Sequence, residues 1–345
     1  MNAEGSGWPR LAKVFLFIWV LAAITIGVLV LHGKASDVGD TDTDEVANVA
    51  PFAKSKALER ELHRLRRHKD RKVAQLPPAS RGKGAISGSP TASASSLLSP
   101  NAAATFAALE GELSARIGAA VAPLGSAPPL QFGSLEGGHA WSSFKVPIVV
   151  AVMEREALSQ EAQEQARSAI TASDNAAAAA LFSRLGSTPT ASAAVETVLS
   201  DSGYPTKVAT AQPPSGAVST WGQTDWSLSS ATGFYRALAC GQLLGPQGTT
   251  FVLGLMEEVI SEQQWGLGEA GIPGQVAFKA GWGPDGSASG PYLVRQSGIL
   301  RSGSSGAVVT IAAQDSSGSF DAGVQDLDAV ANWVRDNVRL DSGTC

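Results

Sequence analysis

The stretch AWSSFKVPIVVAVM sets a serine and a lysine three residues apart, Ser142 and Lys145. On a helix that begins near Trp141 the two share a face, and the hydroxyl comes within reach of the amine. A serine at a helix start also sits in the positive end of the dipole, which favours a developing alkoxide. Burial under Phe144 and Val146, with cationic charge nearby, would lower the Lys145 pKa toward a value at which it accepts a proton. The pair then reads as a nucleophile and its base. The same spacing also fits an N-capping serine beside a solvated lysine, so the rest of the chain must decide.

Composition removes the usual rivals. Of the chain's four histidines, His32, His63 and His68 precede the globular part, and His139, three residues before Ser142, is badly placed as a base for it. One histidine and two distant cysteines, Cys240 and Cys345, do not make a zinc ligand set, and no cofactor or metal is expected. The formal net charge of −5 argues against a nucleic-acid partner.

Two further segments add groups of the same kind. ITASDNAAAAALF places Ser173, Asp174 and Asn175 just before a predicted helix, and FKAGWG places Lys279 at the end of a predicted strand. Each alone is an N-cap or a turn. In this order and on these element types, they resemble the S-x-x-K, S-D-N and K-T-G marks of the serine β-lactamase and penicillin-binding protein superfamily. SSFKVP and TASDN are similar in particular to class A β-lactamases, and the resemblance runs from Asn101 to about Val338.

The resemblance implies an acyl-enzyme. Ser142 would attack an amide or ester carbonyl, Lys145 would take its proton, and Ser173 would pass that proton toward the leaving nitrogen. Asn175 would hold Lys145 and the substrate amide, and Lys279 would set a second positive charge near the substrate carboxylate. Ala280, Gly281 and Trp282 would border the substrate, with the backbone N–H groups of Ser142 and Trp282 as an oxyanion hole. Arg295 on the neighbouring strand would help bind a carboxylate, or else form a structural ion pair.

Three departures qualify this. Ala280 stands where the family motif has Thr, which removes a hydroxyl from carboxylate recognition. The stretch between Ser142 and Ser173 is short, which should open the site to larger substrates. No Glu occurs from Thr197 to Met256, where class A enzymes carry the residue that activates the deacylating water. Asp225 is the main acid there, and Gln223, in STWGQTDW, would orient a water without taking its proton. Efficient β-lactam turnover is therefore not expected. Trp141, Trp221, Trp226 and Trp282 either line a groove for glycan or peptide or pack a core.

The elements that must position these groups form an α+β pattern: an antiparallel sheet flanked by helices, plus a mainly helical subdomain. Phe106, Leu109 and Leu113 predict a first helix, and IGAAVAP from Ile117 a strand. Helices follow over 144–158, 175–185, 190–199 and 228–243, then QVAFKAG, YLVRQSGIL and AVVTIAA as a meander. A final helix carries Phe320, Val324, Leu327, Val330, Val334 and Val338 on one face.

Ahead of this unit, 1–13 reads as a short cytoplasmic tail and 14–32 as a transmembrane helix, with a cleaved signal peptide as the competing reading. Arg10 and Lys13 before the span orient the chain with an extracytoplasmic bulk, where Cys240 and Cys345 could pair. Residues 33–75 read as an acidic then basic stalk whose segment 54–72 either spaces the domain or binds anionic lipid or a cell-wall polyanion. Residues 76–100 read as a Pro/Ser/Gly-rich linker, and 101–345 as the hydrolase domain. The expected partner is a peptidoglycan-like peptide or a β-lactam-like small molecule; the rival is a non-catalytic wall-binding or sensor module of the same fold.

Overall fold

The computed structural model describes residues 97–211, 219–285, 290–341 and 343–345. The expected tail, span, stalk and most of the linker lie outside them. Among the described residues no helix is long and apolar enough to cross a membrane.

In chain order the elements are α1 (Ala102–Glu112), β1 (Arg116–Pro123), β2 (Leu130–Gly133), a 3-10 turn (Trp141–Phe144), α2 (Lys145–Met153), α3 (Gln160–Thr171), α4 (Asn175–Arg184) and α5 (Thr188–Asp201). A second 3-10 turn (Trp221–Gln223) follows, then α6 (Leu228–Ala239), α7 (Pro246–Glu257), two further 3-10 turns (Ser261–Gln263, Gly266–Gly268), β3 (Gln275–Pro284), β4 (Tyr292–Ser302), β5 (Ser305–Asp315) and α8 (Phe320–Asn337). The strands form one sheet in the order β2-β1-β5-β4-β3, antiparallel at every pairing. This leaves β3, the strand of Lys279, at an edge.

Both faces of the central strands are covered, so β1, β4 and β5 are buried along nearly their whole length rather than at alternate residues, and β4 carries Arg295, Gln296 and Ser297 inside with its apolar residues. On one face α1 and α8 pack Phe106, Leu327, Val330 and Val334 against Ile117, Phe278, Val294 and Val309. On the other, α2 to α7 close around Ala277, Ile299 and Val308. α2 is buried on all sides from Lys145 to Val152, as a helix at the centre of a helical cluster must be. Its Pro147 falls in the first turn, where no backbone donor is lost.

Several boundaries depart from expectation. The helix predicted over 144–158 ends at Met153, because the charged EREA that follows has no apolar face to bury. α3 went unpredicted because its buried stripe is mostly alanine, Ala162, Ala166 and Ala169, which carries little hydropathic contrast; its start is a Ser159 cap whose hydroxyl accepts from the Ala162 N–H. The short edge strand β2 was also not foreseen. The folded unit begins inside the stretch read as linker: Leu97 and Leu98 are buried beside α8, with Leu98 bridged to Val338.

Cys240, at the end of α6, is disulfide-bonded to Cys345, closing a separation of 105 residues. The bond fastens the chain's last residues to α6 where they also run beside Ser305 at the start of β5. Replacing both cysteines by serine is expected to lower stability by about 2–4 kcal/mol, read as a lower urea midpoint with an unchanged slope; an unchanged midpoint would show that the tail's other contacts suffice.

Candidate active site

The chain entering the nucleophile's turn is held as a short ladder. The N–H of Leu228 donates to Glu136 O (2.8 Å), that of Trp226 to Gly138 O (3.0 Å), and that of Ala140 to Thr224 O (2.8 Å). No alternating apolar pattern marks this ladder in the sequence. Arg295 secures it from β4: its Nη1 donates to Gly138 O (3.0 Å), His139 O (3.4 Å) and Trp226 O (2.9 Å), and its guanidinium lies 5.6 Å from the Trp226 ring centroid. The side chain is fully buried, and burial lowers its pKa to about 10. Among the described residues Arg295 forms no ion pair with an acidic side chain, and its Nη1 is committed to backbone carbonyls.

The ladder delivers Ser142 at the first 3-10 turn. Trp141 before it takes a left-handed backbone, φ 48°, which a bulky residue adopts only when its surroundings impose it. The turn is fixed by Ser143, whose Oγ donates to Ala140 O (2.5 Å) and whose carbonyl accepts from the buried Tyr235 hydroxyl (2.9 Å). The Lys145 N–H donates back to Ser142 O, so the two side chains stand one turn apart at the head of α2. Ser142 is half-buried, with no hydrogen bond on its hydroxyl among the described residues.

Lys145 and Lys279 are both fully buried, and both reach one hydroxyl. Lys145 Nζ donates to Ser173 Oγ (3.1 Å) and Asn175 Oδ1 (2.8 Å), and also to the Ser173 carbonyl. Lys279 Nζ donates to the same Oγ (3.0 Å) and to Ala280 O (3.2 Å). With both acceptor sites of the Ser173 hydroxyl filled, its own proton is left to point elsewhere, as a proton donor requires. Burial pulls Lys145 down to about 7, opposed by the Asp174 carboxylate. Burial, and then the neighbouring Lys145 charge, hold Lys279 well below the usual ammonium range.

Ser173 has φ 60°, again left-handed. It follows α3 and precedes the N-cap Asp174, whose carboxylate accepts from the N–H groups of Ala176 (2.8 Å) and Ala177 (3.1 Å) and from Ser168 Oγ (2.9 Å). Those bonds, that to Ala177 foremost, hold the Asp174 pKa below the usual range. Across from it, Gln263 Nε2 donates to Ala172 O (3.2 Å) and the Ile260 N–H to Thr171 O (3.1 Å), clamping the same hairpin. Neither clamp had a signal in the sequence.

Gly281 is where strand and nucleophile touch. A Cβ there would lie 2.6 Å from Ala140 O, 2.8 Å from Ser143 N and 3.0 Å from Ser142 N, all backbone atoms with no room to move. Only glycine fits, and the Ser142 N–H is thereby set beside the backbone of Gly281 and Trp282. Ala280 and Trp282 turn their side chains to the far face of the sheet, where the Trp282 ring packs on Trp265 (5.8 Å) and Phe320 (5.6 Å). Of the two readings open for the tryptophans, core packing holds for Trp221 and Trp226; Trp141 stays half-buried at the site, its ring over Gly283.

The structure thus gathers Ser173, Asn175, Lys145 and Lys279 into one bonded cluster at the turn of Ser142, with Gly281 beside it. No protein-family model matches the sequence, and no curated protein does. Solved structures do. The TLA-3 extended-spectrum β-lactamase superposes with TM-score 0.56 at 16% identity, over 68% of this chain and 98% of that one. A class A β-lactamase representative from Bacteroides cellulosilyticus gives 0.57 at 15%, over 68% and 96%; a β-lactamase from Xanthomonas campestris gives 0.54 at 19%, over the same shares. The fold is that of the class A β-lactamases.

Asp225 sits opposite His139 on the ladder and lines a separate cleft with Glu136 and Asp285, and His139 Nδ1 lies 3.1 Å from the Asp285 carboxylate.

Two outcomes follow from this geometry. The rate at which Ser142 is acylated should rise with pH through about 7 and level off above it, because Lys145 accepts a proton only when neutral and its folded pKa is about 7; a flat profile from pH 6 to 9 would remove Lys145 as the base. Gly281→Ala should cut acylation by about 100-fold, the cost of displacing a reacting group by about an ångström, while circular dichroism shows the fold retained.

Proposed function

We propose that this chain is a membrane-anchored, extracytoplasmic serine acyl hydrolase of the β-lactamase and penicillin-binding type, forming an acyl-enzyme on Ser142 with a cell-wall peptide, amide or ester. The observation that carries the reading is the convergence of two buried ammonium groups on the Ser173 hydroxyl, at the turn that bears Ser142. Burying two like charges together is costly, and such an arrangement is expected where it does chemistry.

In this mechanism neutral Lys145 takes the Ser142 proton as Oγ adds to the substrate carbonyl. The developing oxyanion is held by the N–H groups of Ser142 and Trp282. The proton passes by way of Ser173 to the leaving nitrogen or oxygen, and Lys279 holds charge at that hydroxyl throughout. Asn175, exposed at the head of α4, offers its amide to the substrate. The apolar run at 14–31 supports membrane anchoring, and the Cys240–Cys345 disulfide supports an oxidising compartment. Slow β-lactam turnover is part of the proposal, since among the described residues no carboxylate hydrogen-bonds to Ser142, Lys145, Ser173 or Lys279.

That same lack, together with Ala280, favours a second reading: a wall-binding or sensor module that keeps the fold without turnover. Incubation with a fluorescent penicillin or a fluorophosphonate, followed by intact mass, separates the two. The expected result is a stable adduct on the wild type and none on Ser142→Ala, with slow turnover of a chromogenic cephalosporin. No adduct from either probe on folded protein would select the module instead.

A further inference from the structure

Three alternate residues of the β3 chain, at 281, 283 and 285, each meet the segment that carries Ser142. At Gly281 a Cβ would lie 2.8 Å from Ser143 N, and at Gly283 one would lie 2.3 Å from Trp141 Cζ2. Just past the strand's end, the Asp285 carboxylate stands 3.1 Å from His139 Nδ1. The contacts pair 143 with 281, 141 with 283 and 139 with 285, so the segment crosses the strand in the opposite direction and in step with it. The His139 ring also meets the Trp141 ring edge to face, with centroids 5.9 Å apart.

These contacts differ in kind. A glycine lets another backbone come close, but without a side chain it does not fix where along the strand that backbone stops. A polar pair fixes it when both partners are held, and here both are. The Asp285 N–H donates to Pro291 O (2.7 Å), and its Oδ2 accepts from Gln314 Nε2 on β5, whose Oε1 accepts in turn from Arg116 Nη1 (3.1 Å) on β1. His139 is bridged through its backbone to Asp225, and its carbonyl accepts from Arg295 (3.4 Å). The two side chains are 27% and 25% exposed. The Asp285 carboxylate against Nδ1 raises the His139 pKa, with burial and Arg295 opposing and Asp225 adding; the His139 ring in turn holds the Asp285 pKa below the usual range. Trp141, between the fastened His139 and the nucleophile, has φ 48°, a conformation that persists only where its surroundings impose it. Its relaxation would carry Ser142, the next residue, along with it.

We propose that His139 and Asp285 are a positioning pair for acylation, stopping the nucleophile's segment at the one place on β3 where Ser142 faces the substrate carbonyl. This rests on the acyl-enzyme reading above. The pair takes no part in proton transfer, which stays with Lys145. A proton on Nδ1 faces the carboxylate both in the cationic ring and in the neutral form that a facing carboxylate selects. The contact therefore outlasts the titration of Lys145.

The test uses the full chain and a fluorescent penicillin, measuring the limiting rate of Ser142 acylation and the half-saturating concentration for wild type, His139→Phe, Asp285→Asn and the double variant. Each single variant should lower the limiting rate about tenfold, less than the roughly 100-fold cost of a whole ångström's displacement, with half-saturation within twofold of wild type. The double variant should be no slower than the slower single one, because both changes remove the same contact. The rise of the rate with pH through about 7 should survive in His139→Phe, as Lys145 remains the base. Loss of that rise would make His139 a base and overturn the proposal. So would limiting rates within twofold of wild type in the folded single variants, or losses that multiply in the double variant; each of these leaves the acyl-enzyme standing. A wild type that takes no label would overturn both. Phe and Asn are close in shape to the side chains they replace, and either variant alone decides the matter if the other does not fold.

Discussion

Two ammonium groups buried side by side around one hydroxyl form an arrangement that water would ordinarily prevent. Desolvation and mutual repulsion both oppose it, so the groups lose basicity and every N–H must find an oxygen. The rest of the structure supplies those oxygens: the Ser173 carbonyl, the Asn175 amide, the Ala280 carbonyl and the shared Ser173 hydroxyl. Ser173 adopts its left-handed backbone at the place where both lysines meet it. The clamps from Asp174 and from the segment after α7 keep that conformation in place.

The same logic accounts for Arg295. A third fully buried cation, on the same face of the sheet as Lys279, is satisfied in part by three backbone carbonyls of the ladder entering the nucleophile's turn, although its Nε and Nη2 find no partner among the described residues. It stabilises the approach to Ser142 rather than the ligand. A cation placed there by sequence alone reads as a carboxylate binder or an ion-pair partner, because the two short segments of the ladder, EGGHA and TDWSL, carry no periodic signature.

The meander, the closing helix and the three motif segments were legible because their signals are local: continuous apolar runs between turn residues, a 3.6-residue stripe, and caps such as Asp174. The convergence of Ser142, Lys145, Ser173 and Lys279 was legible only through the resemblance, since 106 residues separate Ser173 from Lys279. What escaped was what depends on packing across the chain. The alanine stripe of α3 has too little contrast to announce a helix, and nothing local tells that Tyr235 will hold the Ser143 carbonyl. Tryptophans near the motifs in sequence were scattered by strand alternation and core packing, which send Trp282 to one face of the sheet and Trp226 beneath the other.

On the site face of β3, Lys279 is followed by two glycines at alternate positions, Gly281 and Gly283, and the nucleophile's turn lies on that bare backbone with Trp141 beside it. Elsewhere in the core a side chain separates sheet from helix and absorbs small shifts by changing rotamer. Here no such cushion exists: main chain rests on main chain. Any change in the twist of the hairpin formed by β3 and β4 is passed undamped to the serine hydroxyl. Reactivity in this fold is therefore tunable from the far end of that hairpin, by substitutions remote from every reacting group.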